Sequence, residues 1–544
     1  MGNRPEGVMG SAVTRRSFLR AVGIAGGAGV LFETMGALGL APTAADAAGR
    51  PFVPPSRADF ALSGRKAPKV VILGGGIAGL ATAYELGKAG YDCRILEAKN
   101  RPGGRNWTVR GGTVERELGG YEQRATFAPG LYLNAGPARI AQFMLTLDYC
   151  RELGVAIEPF VNQNADAYVY YQNAGPMSDV RTTDRAVKAD TYGYISELLA
   201  KATTQGALDA ELSADDKDRL MAFLEDFGAL TRTGGEWRYT GTDRRGYSVL
   251  PDAADHPGTV LGPPPSLHNV LASQLGRNLS FELGWDQAMM MFQPIGGMDR
   301  IPYALADRIG GHRIEYQAEV LEVTDQPDAV HVRYRDAKGR QRMAQGDYCV
   351  ATLPAYLMAR VPNNLGAAVK AALEYPTRVH VGKLGLEYRR RWWEEDDRIY
   401  GGITNTDLDI SQIWYPSHGY HGKGGVLLGY YTQGPGTDAF DRMSPADRIK
   451  HALAQGVKIH GPKYAKEVVS AFAVAWDRIP HIETGWVAWP SWTSGQYDLL
   501  NQPHGRVYFA GEWLTRFMGW QAGAFLSARY VVSEIHQRAL ATPR

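Results

Sequence analysis

Cysteine is scarce in this chain: three in 544 residues, Cys93, Cys150 and Cys349. Three thiols cannot build a disulfide framework, so the fold must rest on packing. Cys93 and Cys349 fall in apolar, strand-like runs, and buried free thiols are expected for all three. Excess charge of either sign is also missing. Charged residues make up 21% and the formal net charge is +2, so nothing points to a nucleic-acid or acidic-membrane partner. No internal repeat or low-complexity tract stands out. A membrane-spanning run is absent too. Such a span needs about twenty strongly apolar residues, whereas Ala21 to Leu40 is glycine-rich, weakly hydrophobic and interrupted by Glu33. That run instead follows Thr14-Arg15-Arg16-Ser17-Phe18-Leu19-Arg20, a twin-arginine motif, and precedes the small-residue site Ala45-Asp46-Ala47. A signal peptide over 1–47 is expected, with a mature start near Ala48 and export to a periplasmic or secreted location.

Length is what the chain has in quantity, enough for two or three interleaved domains with ample core. It is organised around Lys69 to Glu97, KVVILGGGIAGLATAYELGKAGYDCRILE. Val70 to Leu73 is a short β-branched run that predicts a buried parallel strand. Gly74, Gly76 and Gly79 then form GxGxxG at the head of a predicted helix, with Ile77 and Ala78 between the glycines. Gly74 permits the turn, Gly76 lets backbone N–H groups approach a pyrophosphate, and Gly79 lets helix and strand pack closely. A second predicted strand ends at Glu97, about twenty residues on, where a carboxylate can accept ribose hydroxyls. The alternative is the glycine-rich loop of an ordinary α/β domain. The strand–turn–helix–strand context with the acid in register favours a dinucleotide bound by its adenosine half.

Past Glu97 and Ala98 come Gly103, Gly104 and Arg105. The two glycines allow backbone close to phosphates, and Arg105 can pair with them. Near the C-terminus, RVYFAG leads through Gly511 into Glu512 and then a helix over Gly523 to Ile535. At this point the chain resembles the flavin-containing amine oxidase family, whose marks are GxGxxG with its acid, PGGR, a late strand ending FAGE and a helix facing the flavin. The resemblance spans Lys66 to Ala539. It implies FAD, and an α/β fold of two domains, a Rossmann-like FAD domain with a substrate domain of mixed sheet and helices. The FAD domain is then discontinuous, with segments at 66–138, 291–365 and 496–544. Between them lie a substrate or helical part at 139–290 and a substrate sheet at 366–495, after a linker at 48–65. Twin-arginine export suits such a protein, because FAD would be bound before the folded chain leaves the cytoplasm.

The local pattern predicts a helix over Arg139 to Leu153, a strand over Asp166 to Gln172, and a helical subdomain from Asp190 to about Ala288. Strands are predicted at Glu319 to Val323, Val330 to Tyr334, Tyr348 to Leu353, His380 to Tyr388 and Gly425 to Tyr431.

Oxidising a C–N bond at a flavin needs little acid–base machinery, since the cofactor carries the chemistry while the protein positions, desolvates and selects. Tyr132 to Ile140, YLNAGPARI, resembles the G-P-x-R of the L-amino-acid oxidase branch in Gly136, Pro137 and Arg139. Arg139 offers a planar fork matched to an α-carboxylate; its alternative is a solvated helix start. By the resemblance, Gly136, Pro137, Ala138, Arg139 and Val320 also border FAD. Tyr415, in SQIWYPSHGY, matches a tyrosine whose hydroxyl makes the second carboxylate contact. Lys383, in VGKLGL, either snorkels outward or is the inward lysine that aids reaction with oxygen, where a fixed charge would stabilise developing superoxide or peroxide. Gly519 and Trp520 match the glycine and aromatic beside the flavin. Gln521, Ala522 and the following residues would turn helix N–H groups toward it. Trp476 matches the tryptophan on the dimethylbenzene side, and Trp486 falls where side-chain contacts are expected. Ordinary core packing is the alternative for each tryptophan. One departure is that Phe281 to Met291 holds no histidine, where some L-amino-acid oxidases carry one.

The resemblance implies the reaction of an L-amino acid with O2 and water to 2-oxo acid, ammonia and H2O2. Trp414, Trp486, Trp489, Phe517, Met518 and Trp520, with Met289 to Met291, point to large hydrophobic or aromatic side chains, while Glu282 and Asp286 keep a basic side chain open. The alternatives are a monoamine or polyamine oxidase, or an amide-forming amino-acid 2-monooxygenase. The partners are the small-molecule amino acid and O2, with no nucleic acid and no stable membrane insertion; a homodimer is left open, and no metal is expected.

Overall fold

The structure, a computed structural model, describes residues 52–287 and 289–542. The twin-arginine motif and the expected cleavage site lie outside the described residues.

Five parallel strands form one sheet. In chain order they are Lys69–Leu73, Asp92–Glu97, Ile314–Tyr316, Tyr348–Ala351 and Val507–Phe509, and in space they run third, second, first, fourth, fifth. Val70 to Leu73 are all buried, as a strand covered on both faces requires. The order reverses between the first and fourth strands, and the glycine-rich loop leaves the first strand at that switch point, where such sheets hold their ligands. The helix Ile77–Lys88 follows, and the C-terminal helix Gln521–Ala541 packs against it. Three sequence segments therefore build one sheet. All three cysteines are free and buried.

A second, seven-stranded sheet stands apart in topology. Its central strands Val381–Tyr388 and Gly425–Gln433 run antiparallel, with Lys383 opposite Tyr431. Val468–Ala475 flanks one side, and Gln412–Trp414, Ile403–Thr406, Tyr168–Tyr170 and Thr182–Thr183 complete the other. Leu384, Leu386, Trp392, Trp393 and Tyr464 are part of the core beneath it.

The helix expected from Arg139 to Leu153 is shorter, Thr146–Leu153. Ile140–Ala141 is instead an edge strand paired with Met291 and Phe292. The apolar spacing is real, but Ile140 serves a sheet and Phe143 is exposed, so tertiary pairing overrides the helical period. The region after Asp190 is helical as expected. Thr183 caps Asp184–Thr204, and a Ser213–Asp216 capping box opens Ala214–Phe227. Two small hairpins, Thr231–Thr233 with Glu236–Arg238 and Tyr247–Val249 with Thr259–Val260, interrupt it.

Candidate active site

A cavity of about 890 Å³ opens between the parallel sheet and the seven-stranded sheet. Its walls bring together residues that lie more than 400 positions apart in sequence, from Gly74 to Ala524.

The glycine-rich loop forms one end. Gly74, Gly76, Ile77, Ala78, Glu97, Ala98 and Gly104 line it. A Cβ on Gly76 would meet nothing within 4 Å, whereas one on Gly79 would lie 2.0 Å from the Gly74 carbonyl oxygen. Gly76 thus keeps space open for a ligand, and Gly79 serves helix–strand packing behind the wall. The buried Glu97 carboxylate accepts from the Gly75 N–H at 2.5 Å and the Lys99 N–H at 2.7 Å, one on each oxygen. Each oxygen keeps acceptor capacity, and burial raises the carboxyl's pKa. These features fit the adenosine ribose and pyrophosphate of a dinucleotide.

The middle of the cavity departs from expectation at Arg105. Its guanidinium makes a bidentate pair with Glu512, at 2.7 and 2.6 Å, and donates to the Gly485 carbonyl at 2.8 Å. Arg105 and Glu512 therefore clamp the first and last segments together at the cavity wall, with most of the arginine's donors spent on protein. Gly511 is a packing residue: its N–H donates to Ser527 Oγ at 3.0 Å, and a Cβ there would strike Trp513. Ala522 is buried behind the lining residues Gln521 and Ala524. Val320 lines the cavity.

At the other end Gly136, Pro137, Ala138, Arg139, Lys383, Trp476, Trp486, Gly519, Trp520 and Gln521 all line the wall. Gln521, at the start of the last helix, has both amide atoms buried without a partner. An orphaned donor and acceptor beside a helix N-terminus fits the polar edge of a flavin ring. Trp476 is fixed by its indole N–H, which donates to the Ala135 carbonyl at 2.9 Å. The Trp520 indole N–H donates to Asp286 at 3.0 Å.

Arg139 packs its guanidinium 4.6 Å from the Trp414 ring centroid and 5.6 Å from that of Phe281. Its Nη1 is buried with no hydrogen-bond partner among the described residues. Among the described residues no carboxylate lies within ion-pair distance of it. Burial lowers its pKa to about 10, against the opposing pull of Tyr431 and Asp286. Lys383 points inward and is 4% exposed. Its Nζ donates to the Gly136 carbonyl at 2.5 Å, with the Asn134 carbonyl at 3.4 Å.

Tyr415 is not on this wall. It sits in the core, its hydroxyl bonded to Thr404 Oγ1 at 2.7 Å and His460 Nε2 at 2.9 Å. The reason is pleat geometry. Trp414 faces the cavity, and successive strand residues face opposite sides. Tyr431 occupies the wall in its place, with Lys383 Nζ 4.9 Å from its ring centroid. Tyr431 is invisible to motif reading, because its nearness to Lys383 comes from the register of two strands almost fifty residues apart. Of the aromatic and methionine candidates, Trp414, Trp486, Met518 and Trp520 line the cavity. Trp489 is core, its indole N–H bonded to the Trp513 carbonyl. Phe517 meets Phe143 at a tilt and Trp285 edge-on, Met290 is exposed, and Met291 is buried in a strand.

Comparison with known proteins agrees with this geometry. The family "Flavin containing amine oxidoreductase" matches residues 77–536. An L-amino-acid oxidase of Demansia vestigiata is 26% identical over 484 residues, covering 85% of this chain and 86% of that protein. L-amino acid oxidase bordonein-L of Crotalus durissus terrificus is 25% identical over 474 residues, 83% of each. Among solved structures, cyclohexylamine oxidase from Brevibacterium oxydans IH-35A superposes with a TM-score of 0.57 at 18% identity, covering 87% of this chain and 99% of that one, a likeness of fold. With a reversed-order parallel sheet, an open Gly76, a buried Glu97 and a family match across most of its length, the chain belongs to the flavin-containing amine oxidoreductases, and FAD is its cofactor.

Proposed function

We propose that this enzyme oxidises L-amino acids with O2 and water to 2-oxo acid, ammonia and H2O2. One observation carries the reading: Arg139, on the cavity wall, has a buried Nη1 with no acceptor among the described residues. A buried unpaired guanidinium donor is costly unless a ligand completes it, and an α-carboxylate does so with matching planar geometry. FAD supplies the two-electron acceptor for the α-C–H bond. Arg139 holds the carboxylate, the Gly519 carbonyl accepts from the substrate amine, and Trp486 and Trp520 confine the α-carbon. In its protonated form Lys383 places positive charge at Nζ where oxygen is reduced. Trp414, Met518 and the two wall tryptophans favour large hydrophobic or aromatic side chains, with weak discrimination among them, about 1–3 kcal/mol per methylene.

A peroxide screen over the twenty L-amino acids, with cyclohexylamine and putrescine beside them, tests this reading. Turnover of hydrophobic L-amino acids with poor amine turnover supports it. The reverse order makes the chain a monoamine or polyamine oxidase, and an amide product in place of the 2-oxo acid makes it an amino-acid 2-monooxygenase. Export by the twin-arginine route belongs to the same proposal. Replacing Arg15 and Arg16 with lysine should hold the precursor in the cytoplasm, and normal export of that variant contradicts it.

A further inference from the structure

Next to the cavity-lining residues Val381 and Trp476, four titratable groups converge. His380 lies between the strands Thr377–Val379 and Val381–Tyr388. Asp438 and Asp441 come from the helix Asp438–Arg442, and Asp477 from the turn Trp476–Arg478. His380 Nδ1 stands 2.9 Å from Asp441 Oδ2, 3.5 Å from Asp477 Oδ2 and 3.6 Å from Asp438 Oδ1. One donor atom each from His380, Asp441 and Asp477 all fall within 4.8 Å of one another.

Hydrogen bonding accounts for only part of this cluster, the 2.9 Å bond between His380 Nδ1 and Asp441 Oδ2. The Asp477 side chain is 8% exposed, and among the described residues neither of its carboxylate oxygens has a hydrogen-bond partner; Asp441 Oδ1 is buried without one as well. The Val381 amide also favours the ionised Asp477, less than His380 and Arg378 do. Three carboxylates face one imidazole, with the charges of Arg378 and Arg448 acting on Asp477 and Asp441 from further off. Among the described residues no arginine forms an ion pair with Asp438, Asp441 or Asp477. Arg448 is spent on Glu117 and the Phe440 carbonyl, Arg378 donates to the Glu483 carbonyl, and Arg478 donates to the Asp441 carbonyl.

We propose that His380, Asp441 and Asp477, with Asp438 at the rim, bind one divalent transition-metal ion, Zn2+ being the probe of choice. Metal–nitrogen and metal–oxygen bonds of about 2.1 Å place neighbouring tetrahedral donors about 3.4 Å apart, and the three distances to His380 Nδ1 bracket that value. An imidazole among carboxylates suits Zn2+ or Mn2+ better than Ca2+, which takes oxygen ligands alone. The half-exposed His380 and Asp438 give the ion a way in from solvent. Val381 and Trp476, the chain neighbours of His380 and Asp477, line the cavity, so the ion would brace the wall that carries Lys383 without touching the reacting atoms.

The test uses the FAD-loaded enzyme, free of any affinity tag, stripped with EDTA and titrated calorimetrically with ZnCl2, MnCl2 and CaCl2, with bound metal counted by mass spectrometry. One Zn2+ per chain is expected, with Ca2+ at least tenfold weaker. Asp477→Asn and Asp438→Asn should each weaken Zn2+ by at least about tenfold at unchanged FAD content, since even partners of metal ligands are worth about that much. Asp438 is exposed, so its variant keeps the test decisive if Asp477→Asn does not fold. No saturable Zn2+ binding, unchanged affinity in the Asp438 variant, or a preference for Ca2+ would overturn the proposal.

Discussion

Arg139 and Lys383 face the same indole: the guanidinium carbon lies 4.6 Å and the ammonium nitrogen 5.4 Å from the Trp414 ring centroid. Burial, and after it the charge on Arg139, bring the Lys383 pKa down to about 7. Two basic groups share one buried wall, and among the described residues no carboxylate lies within ion-pair distance of Arg139. An anion docked on Arg139 would relieve both, so ligand binding and the protonation of Lys383 are linked, each favouring the other.

Binding of a non-reacting carboxylate such as benzoate should therefore depend on pH near 7. Lys383 is charged below about 7 and adds to the attraction. Affinity should fall as pH rises through that value, and Lys383→Met should bind more weakly and lose the inflection. Flavin difference spectra measure both. The folded-state pKa is depressed from the ordinary 10.5, so the unfolded chain holds the extra proton between about 7 and 10.5. The buried lysine thus costs stability in full below 7, and the cost fades as pH rises toward 10.5. Melting curves of wild type and Lys383→Met should converge over that window.

The two tyrosines should separate cleanly. Tyr415→Phe leaves Thr404 and His460 without their shared partner and should cost about 1–3 kcal/mol of stability, with KM for amino acids little changed. Tyr431→Phe should barely move the melting temperature and should raise KM. Steady-state kinetics beside thermal melts decide this; the opposite pattern would return Tyr415 to the substrate.

At the cofactor end, Gly76→Ala should fold normally without FAD and lose FAD affinity, because its Cβ enters open space. Gly79→Ala should damage the fold itself, since its Cβ would meet the Gly74 carbonyl at 2.0 Å. Glu97→Ala should weaken FAD by about 1.5–3 kcal/mol, as for hydrogen bonds to a charged group. FAD content and apoprotein melts check all three; a normally FAD-loaded Gly76→Ala would contradict the assignment.

The glycine-rich loop, Glu97 and the strand at Val507 were legible because each rests on local chemistry: a turn, a close approach, a β-branched run. Arg139 was legible only beside its family resemblance, and its inward placement depends on the Trp414 and Phe281 rings. What escaped reading depends on pairing between distant segments. The Arg105–Glu512 clamp spans 407 positions, Tyr431 reaches Lys383 through register, and Tyr415 is turned away by a single step of the pleat. The Arg139 to Leu153 stretch misled because Ile140 keeps a helical spacing while pairing with Phe292.

The most direct measurement is anaerobic stopped-flow reduction of the enzyme's flavin by L-phenylalanine and by 2-phenylethylamine, which differ only in the α-carboxylate. Wild type should reduce far faster with the amino acid. Arg139→Ala should lose about 2–5 kcal/mol of that advantage, the cost of leaving a buried charge unpaired, while its rate with the amine holds or rises. Equal reduction of the wild-type enzyme by both compounds, or an Arg139→Ala variant that keeps its preference, would contradict a carboxylate-binding role for Arg139 and with it the oxidation of amino acids.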